Sequence, residues 1–86
     1  MATVMAYHDV DDVDHWLSSP KREEVFGPLG ITVRTFVDPD GSKRTGVLLE
    51  VPDMAKFQEV MASDAGAEAM KYDGVHADSL IMLVES

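Results

Sequence analysis

Ile31-Thr32-Val33-Arg34-Thr35-Phe36-Val37-Asp38-Pro39-Asp40-Gly41-Ser42-Lys43-Arg44-Thr45-Gly46-Val47-Leu48-Leu49-Glu50-Val51 is the stretch that decides the fold. Two β-branched, alternating runs flank Asp38-Pro39-Asp40-Gly41-Ser42. Proline presets one dihedral there and glycine permits a positive φ, so the segment reads as a hairpin of two strands, Ile31–Val37 and Thr45–Val51. Upstream, Thr3–His8 reads as a first strand. Asp9 to Asp14 then supplies caps and dipole-favoured acids for a helix whose apolar face is Val13, Trp16 and Leu17. Ser19-Pro20 breaks and restarts that helix. Val25, Phe26 and Leu29 continue its stripe, and Gly27-Pro28 with Gly30 ends it. Downstream, Pro52-Asp53 stops the hairpin and caps a helix with the stripe Met54, Phe57, Val60 and Met61. Ser63-Asp64 caps a further turn through Ala65 to Tyr72, ended by Asp73-Gly74. Leu80–Val84 is the last strand.

The order is therefore βαββαβ in one α+β domain spanning residues 1–86. The expected sheet is antiparallel in the order 4-1-3-2, with strands 1 and 3 adjacent and, on this reading, running parallel. At 86 residues the chain is one domain with a thin core, so help from a partner is expected. It has no cysteine, which excludes disulfides and zinc-thiolate sites and suits a reducing, cytoplasmic compartment. The first residues form no signal peptide, and no stretch reaches the roughly 18 apolar residues of a membrane span. A formal charge of −9 repels a phosphate backbone, so no nucleic-acid partner is expected.

Alternation along the strands gives two faces. Met5, Tyr7, Val33, Val37, Val47, Leu49, Val51, Leu80, Met82 and Val84 are assigned to the face covered by helices. The opposite face collects Val4, Ala6, His8, Arg34, Phe36, Leu48, Glu50, Ile81 and Leu83. It is too apolar to stand in water, and a second copy related by a two-fold axis is its simplest cover. That arrangement resembles the dimeric α/β-barrel superfamily, in which two ferredoxin-like sheets pack into one barrel. The resemblance runs along nearly the whole chain. It rests on the element order, on Asp12-Val13-Asp14-His15-Trp16 opening the first helix, and on Ala67-Glu68-Ala69-Met70 before the last strand. It implies a ferredoxin-like fold, a homodimer, and a ligand between sheet and helices. It also implies a choice among cofactor-independent monooxygenases, cyclases and isomerases, haem-degrading enzymes, and members without known activity.

Two constellations follow. His8, Arg34 and Glu50, with Phe36 and Leu48, are placed in the interface; a histidine oriented by a carboxylate beside an arginine makes either a base with an anion site or an interface ion pair. Tyr7, Trp16, Phe57, Met61, Tyr72 and Met82 are placed around a cleft for a small aromatic ligand, with His15 and His76 at its rim as catalytic candidates. The plain alternative is that the aromatics and methionines are ordinary core. No metal is expected, because the histidines lack helical ligand spacing and the aspartates are explained by capping; no cofactor is expected either. The functional expectation is a small-molecule-binding protein or cofactor-independent enzyme for an aromatic or polyketide-like compound. The alternative is a non-catalytic homodimeric assembly module.

Overall fold

A computed structural model describes all 86 residues. In chain order the elements are β1 (Ala2–Asp9), α1 (Val13–Ser18), α2 (Lys21–Phe26), a 3-10 turn (Gly27–Leu29), β2 (Thr32–Val37), β3 (Arg44–Val51), α3 (Met54–Met61), α4 (Asp64–Asp73), a second 3-10 turn (Ala77–Ser79) and β4 (Ile81–Val84). The caps fall where short polar side chains predict them. Asp12 accepts from the His15 amide, Asp53 from those of Ala55 and Lys56, and Ser63 from that of Gly66. The expected turn after Ser63 is longer than the sequence suggested and forms the ten-residue helix α4. Gly74 closes it in the left-handed region at φ 74°, where a side chain would be strained.

The four strands form one sheet in the order β2-β3-β1-β4, which is 4-1-3-2 read from the other edge. This is the ferredoxin-like α+β fold. The hairpin register pairs Thr32 with Glu50 and Arg34 with Leu48. β1 and β3 run antiparallel, correcting the parallel pairing expected from the sequence. The reason is topological: β2 and β1 are both antiparallel to β3, so the hairpin that inserts β3 between them reverses its direction.

All helices cover one face of the sheet. The core there is Val4, Ala6, Val10, Ile31, Val47, Leu49 and Val51, closed by Trp16 and Phe57, each only 1% exposed. The phase of β1 is thus opposite to the one assigned above. Val4 pairs with Leu49 and Ala6 with Val47, which puts Val4, Ala6 and His8 beneath the helices. Met5 and Tyr7 take the open face instead.

That open face carries Met5 (50% exposed), Phe36 (49%), Ile81 (44%) and Leu83 (53%), with Tyr7 and Leu48 among them. No helix of the molecule is long and apolar enough to cross a membrane.

Candidate functional site

The site begins at the end of β1. Val10 forms an isolated antiparallel bridge with Val75. The Asp11 amide donates to the Gly74 carbonyl at 3.0 Å, and the His76 amide to the Asp9 carbonyl at 2.9 Å. These bonds pin the C-terminus of α4 against β1. They bring Asp73, the last residue of α4, into the same cavity wall as His8.

The cavity lies between sheet and helices and holds about 80 Å³ of free space. Most of its wall is apolar: Ala6, Val47 and Leu49 from the sheet, Phe26 and Phe57 from the helices, with Met61, Met70 and Met82. Polar groups gather as His8, Arg22 and Asp73 around Trp16, with Lys21 also in the wall. The volume is well below the roughly 300 Å³ at which drug-sized pockets begin. In this shape the cavity therefore takes a small guest or a few waters, and a polyketide-sized ring system needs the methionines to move, which their unbranched side chains allow.

Each polar member has a defined set of partners. Asp73 is 4% exposed. Its Oδ2 accepts from Arg22 Nη1 at 3.3 Å, and its Oδ1 is buried with no hydrogen-bond partner in the protein. Arg22 Nη2 donates to the Trp16 carbonyl at 2.7 Å and reaches the Leu17 carbonyl at 3.5 Å. Its guanidinium lies 4.6 Å from the Trp16 ring centroid. Burial lowers the pKa of Arg22 from its ordinary value and Asp73 opposes that shift, but a guanidinium remains a cation at neutral pH.

His8 is 6% exposed and stands edge-on to Trp16, with ring centroids 5.7 Å apart. Its Nδ1 is 2.9 Å from Thr45 Oγ1, and Nε2 makes no hydrogen bond within the protein. Burial is the main cause holding the His8 pKa below its usual value; the Arg22 charge adds to this, while a backbone hydrogen bond and Asp73 oppose it. The ring is therefore neutral at pH 7.

Several residues singled out in the sequence lie elsewhere. Tyr7 is on the open sheet face, because the phase of β1 turns it away from the helices. Tyr72 is 49% exposed, and it packs against His15 (ring centroids 5.2 Å apart) outside the cavity wall. His15 Nε2 donates to the Tyr72 carbonyl at 2.8 Å. His76 is exposed and bonded through Nε2 to Asp11, which raises its pKa. It borders a separate, shallow depression with Asp9, Lys43 and Arg44. Neither His15 nor His76 reaches the cavity.

His8 was expected near Glu50 on the interface face. The antiparallel register instead pairs His8 with Thr45 and places Glu50 opposite Thr3, whose hydroxyl donates to its Oε2 at 2.9 Å. Arg34 makes no ion pair with Glu50; it lies over the Phe36 ring at 5.7 Å. Trp16, Phe57, Met61 and Met82 do line the cavity. Asp73 was read from the sequence only as a helix end, and Arg22 was not singled out. No cluster of three or more histidine, aspartate or glutamate side chains has metal-binding geometry.

No family model matches the chain, and no curated protein matches it. Solved structures do. An antibiotic biosynthesis monooxygenase is similar with a TM-score of 0.66 at 14% identity, over 100% of this chain and 97% of that one. A proposed antibiotic biosynthesis monooxygenase from Nitrosomonas europaea gives 0.68 at 11% identity, over 100% and 97%. A dimeric ferredoxin-like protein of unknown function from Jannaschia sp. CCS1 gives 0.69 at 13% identity, over 100% and 99%. At such identities the likeness is one of fold, and the fold this chain shares with those proteins is the ferredoxin-like α+β sandwich.

Proposed function

We propose that this chain is a small-molecule-binding protein or cofactor-independent enzyme of the monooxygenase, cyclase or isomerase kind. Its aromatic or polyketide-like ligand enters the cavity between sheet and helices, and it works as a cytoplasmic homodimer. The observation that carries the reading is Asp73. It stands at the C-terminal end of α4, where a carboxylate opposes the helix dipole, and it is a poor helix former. Its Oδ1 is buried without a partner. A residue that breaks several local rules beside an apolar cavity is better explained by a guest than by stability. Neutral His8, with Nε2 uncommitted, supplies a base in the same cavity. The monooxygenase names carried by similar structures agree with this class of chemistry.

The homodimer rests on the open face of the sheet. Its exposed Met5, Phe36, Ile81 and Leu83 form an apolar surface of the kind that marks an interface, and a similar structure is described as dimeric. Leu48→Asp sets a charge among them and yields monomer or unfolded chain by light scattering. Wild-type monomer at high micromolar concentration contradicts the dimer. The small cavity favours a second reading, a non-catalytic homodimeric module. Trp16 is the only tryptophan and lines the cavity, so its fluorescence decides. Small phenolic and polycyclic aromatic compounds are titrated, with calorimetry in parallel. A response seen by both methods supports a ligand site; silence across the panel leaves the module.

A further inference from the structure

We infer that the polar end of the cavity is an acceptor site, made of Asp73 Oδ1 and His8 Nε2, which selects a neutral hydroxyl donor over an anion. The inference rests on the small-molecule reading above and names its specificity. An arginine stacked on a tryptophan in a cleft invites the opposite conclusion, an anion site. Three of the five N–H donors of Arg22 are taken, one on Nη1 by Asp73 and those on Nη2 by the Trp16 and Leu17 carbonyls. The formal charges of Arg22 and Asp73 offset one another. The one buried side-chain nitrogen or oxygen without a partner is a lone-pair site, Asp73 Oδ1, in the wall of a mostly apolar space.

His8 adds the second acceptor. Thr45 Oγ1 has one proton and lies 2.9 Å from His8 Nδ1 and 3.3 Å from the His8 carbonyl. Both contacts are satisfied together when the hydroxyl donates to the carbonyl and its oxygen accepts from Nδ1–H. Nε2 then carries the lone pair. An incoming carboxylate meets the Asp73 carboxylate, whose charge Arg22 already offsets, and the His8 lone pair, so at this end like charge adds to the cost of its desolvation. An incoming hydroxyl fills the vacancy on Asp73.

Three single-ring probes separate these cases: phenol offers a donor, anisole removes it, and benzoate replaces it with an anion. Wild-type protein is titrated with each at pH 7 by Trp16 fluorescence and by calorimetry. Phenol is expected to bind at least about tenfold more tightly than either of the others, the discrimination expected where a buried acceptor is left unpaired. Asp73→Asn preserves the shape and turns an amide N–H₂ toward the cavity or the arginine. It is expected to erase or reverse the preference for phenol over anisole. Anisole matching phenol, benzoate binding best, or Asp73→Asn binding phenol like wild type overturns the inference while leaving a ligand site in place. No binding by any probe overturns the ligand site as well. Should Asp73→Asn fail to fold, wild type alone decides. Its affinity for phenol must fall as the hydroxyl ionises near pH ~10, with circular dichroism unchanged. A flat profile refutes the donor role.

Discussion

Replacing Arg22 by alanine and, separately, Asp73 by alanine tests whether Asp73 is held at a cost. Arg22→Ala leaves the Asp73 carboxylate, whose side chain is 5% exposed, with neither oxygen paired. Breaking a buried pair in this way costs about 3–5 kcal/mol. Asp73→Ala leaves Arg22 with a side chain 15% exposed and still donating to the Trp16 carbonyl, so about 2–3 kcal/mol is lost. Against that loss stand three gains. Removing the orphaned Oδ1 returns about 1–3 kcal/mol. Removing a carboxylate from the end of α4 returns about 0.3–1 kcal/mol. Alanine for aspartate in a helix returns about 0.5 kcal/mol. The gains total about 2–4.5 kcal/mol, so Asp73→Ala is about neutral to mildly stabilising, and the two variants differ by about 4 kcal/mol. For a domain of this size that is a difference in Tm of about 16–32 °C. Urea and thermal unfolding followed by circular dichroism measure it. Asp73→Ala as damaging as Arg22→Ala would show that Asp73 earns its place through stability, and the argument for a ligand at Oδ1 would lose its footing.

Two further outcomes follow from the packing. Gly66→Ala, normally a gain inside a helix, should cost about 2–3 kcal/mol, because a Cβ there would lie 2.3 Å from the Val60 carbonyl oxygen where α3 meets α4. An unchanged or raised urea midpoint contradicts the close approach. Burial lowers the folded pKa of His8, so as pH falls below 6.5 the unfolded chain takes up a proton that the folded chain refuses. Its contribution to stability is complete above pH 6.5 and declines as the pH drops through that value toward the lowered folded pKa. The stability difference between wild type and His8→Gln should therefore shrink between pH 7 and pH 5. A difference that stays constant over that range shows that His8 is not buried neutral.

The parts of the fold visible in the sequence were those with strong local chemistry. The Pro39–Gly41 turn set the hairpin and its register, and Asp12, Asp53 and Ser63 marked helix starts. The open face was recognised through Phe36 and Leu48 because β2 and β3 alternate cleanly. β1 misled because its larger apolar side chains, Met5 and Tyr7, sit on the open face, while the smaller Val4 and Ala6 share the buried face with His8. Val10, fully buried and in phase with Val4, Ala6 and His8, carried the correct answer, but it lies beyond the run read as a strand. Asp73 read only as part of a helix stop, and nothing in the local pattern singled out Arg22. Their meeting depends on the Val10–Val75 bridge, a contact 65 positions apart that no local pattern encodes.

The six methionines allow the most direct test of a ligand in the cavity. Met61, Met70 and Met82 line it, whereas Met5 lies on the open sheet face. Methyl NMR of ¹³C-methionine protein, titrated with phenol, reads them separately. Saturable shifts are expected at Met61, Met70 and Met82, weakened in Asp73→Asn, with Met5 unmoved. Shifts at Met5 alone, or no saturable shift at any cavity methionine, contradict a ligand in the cavity.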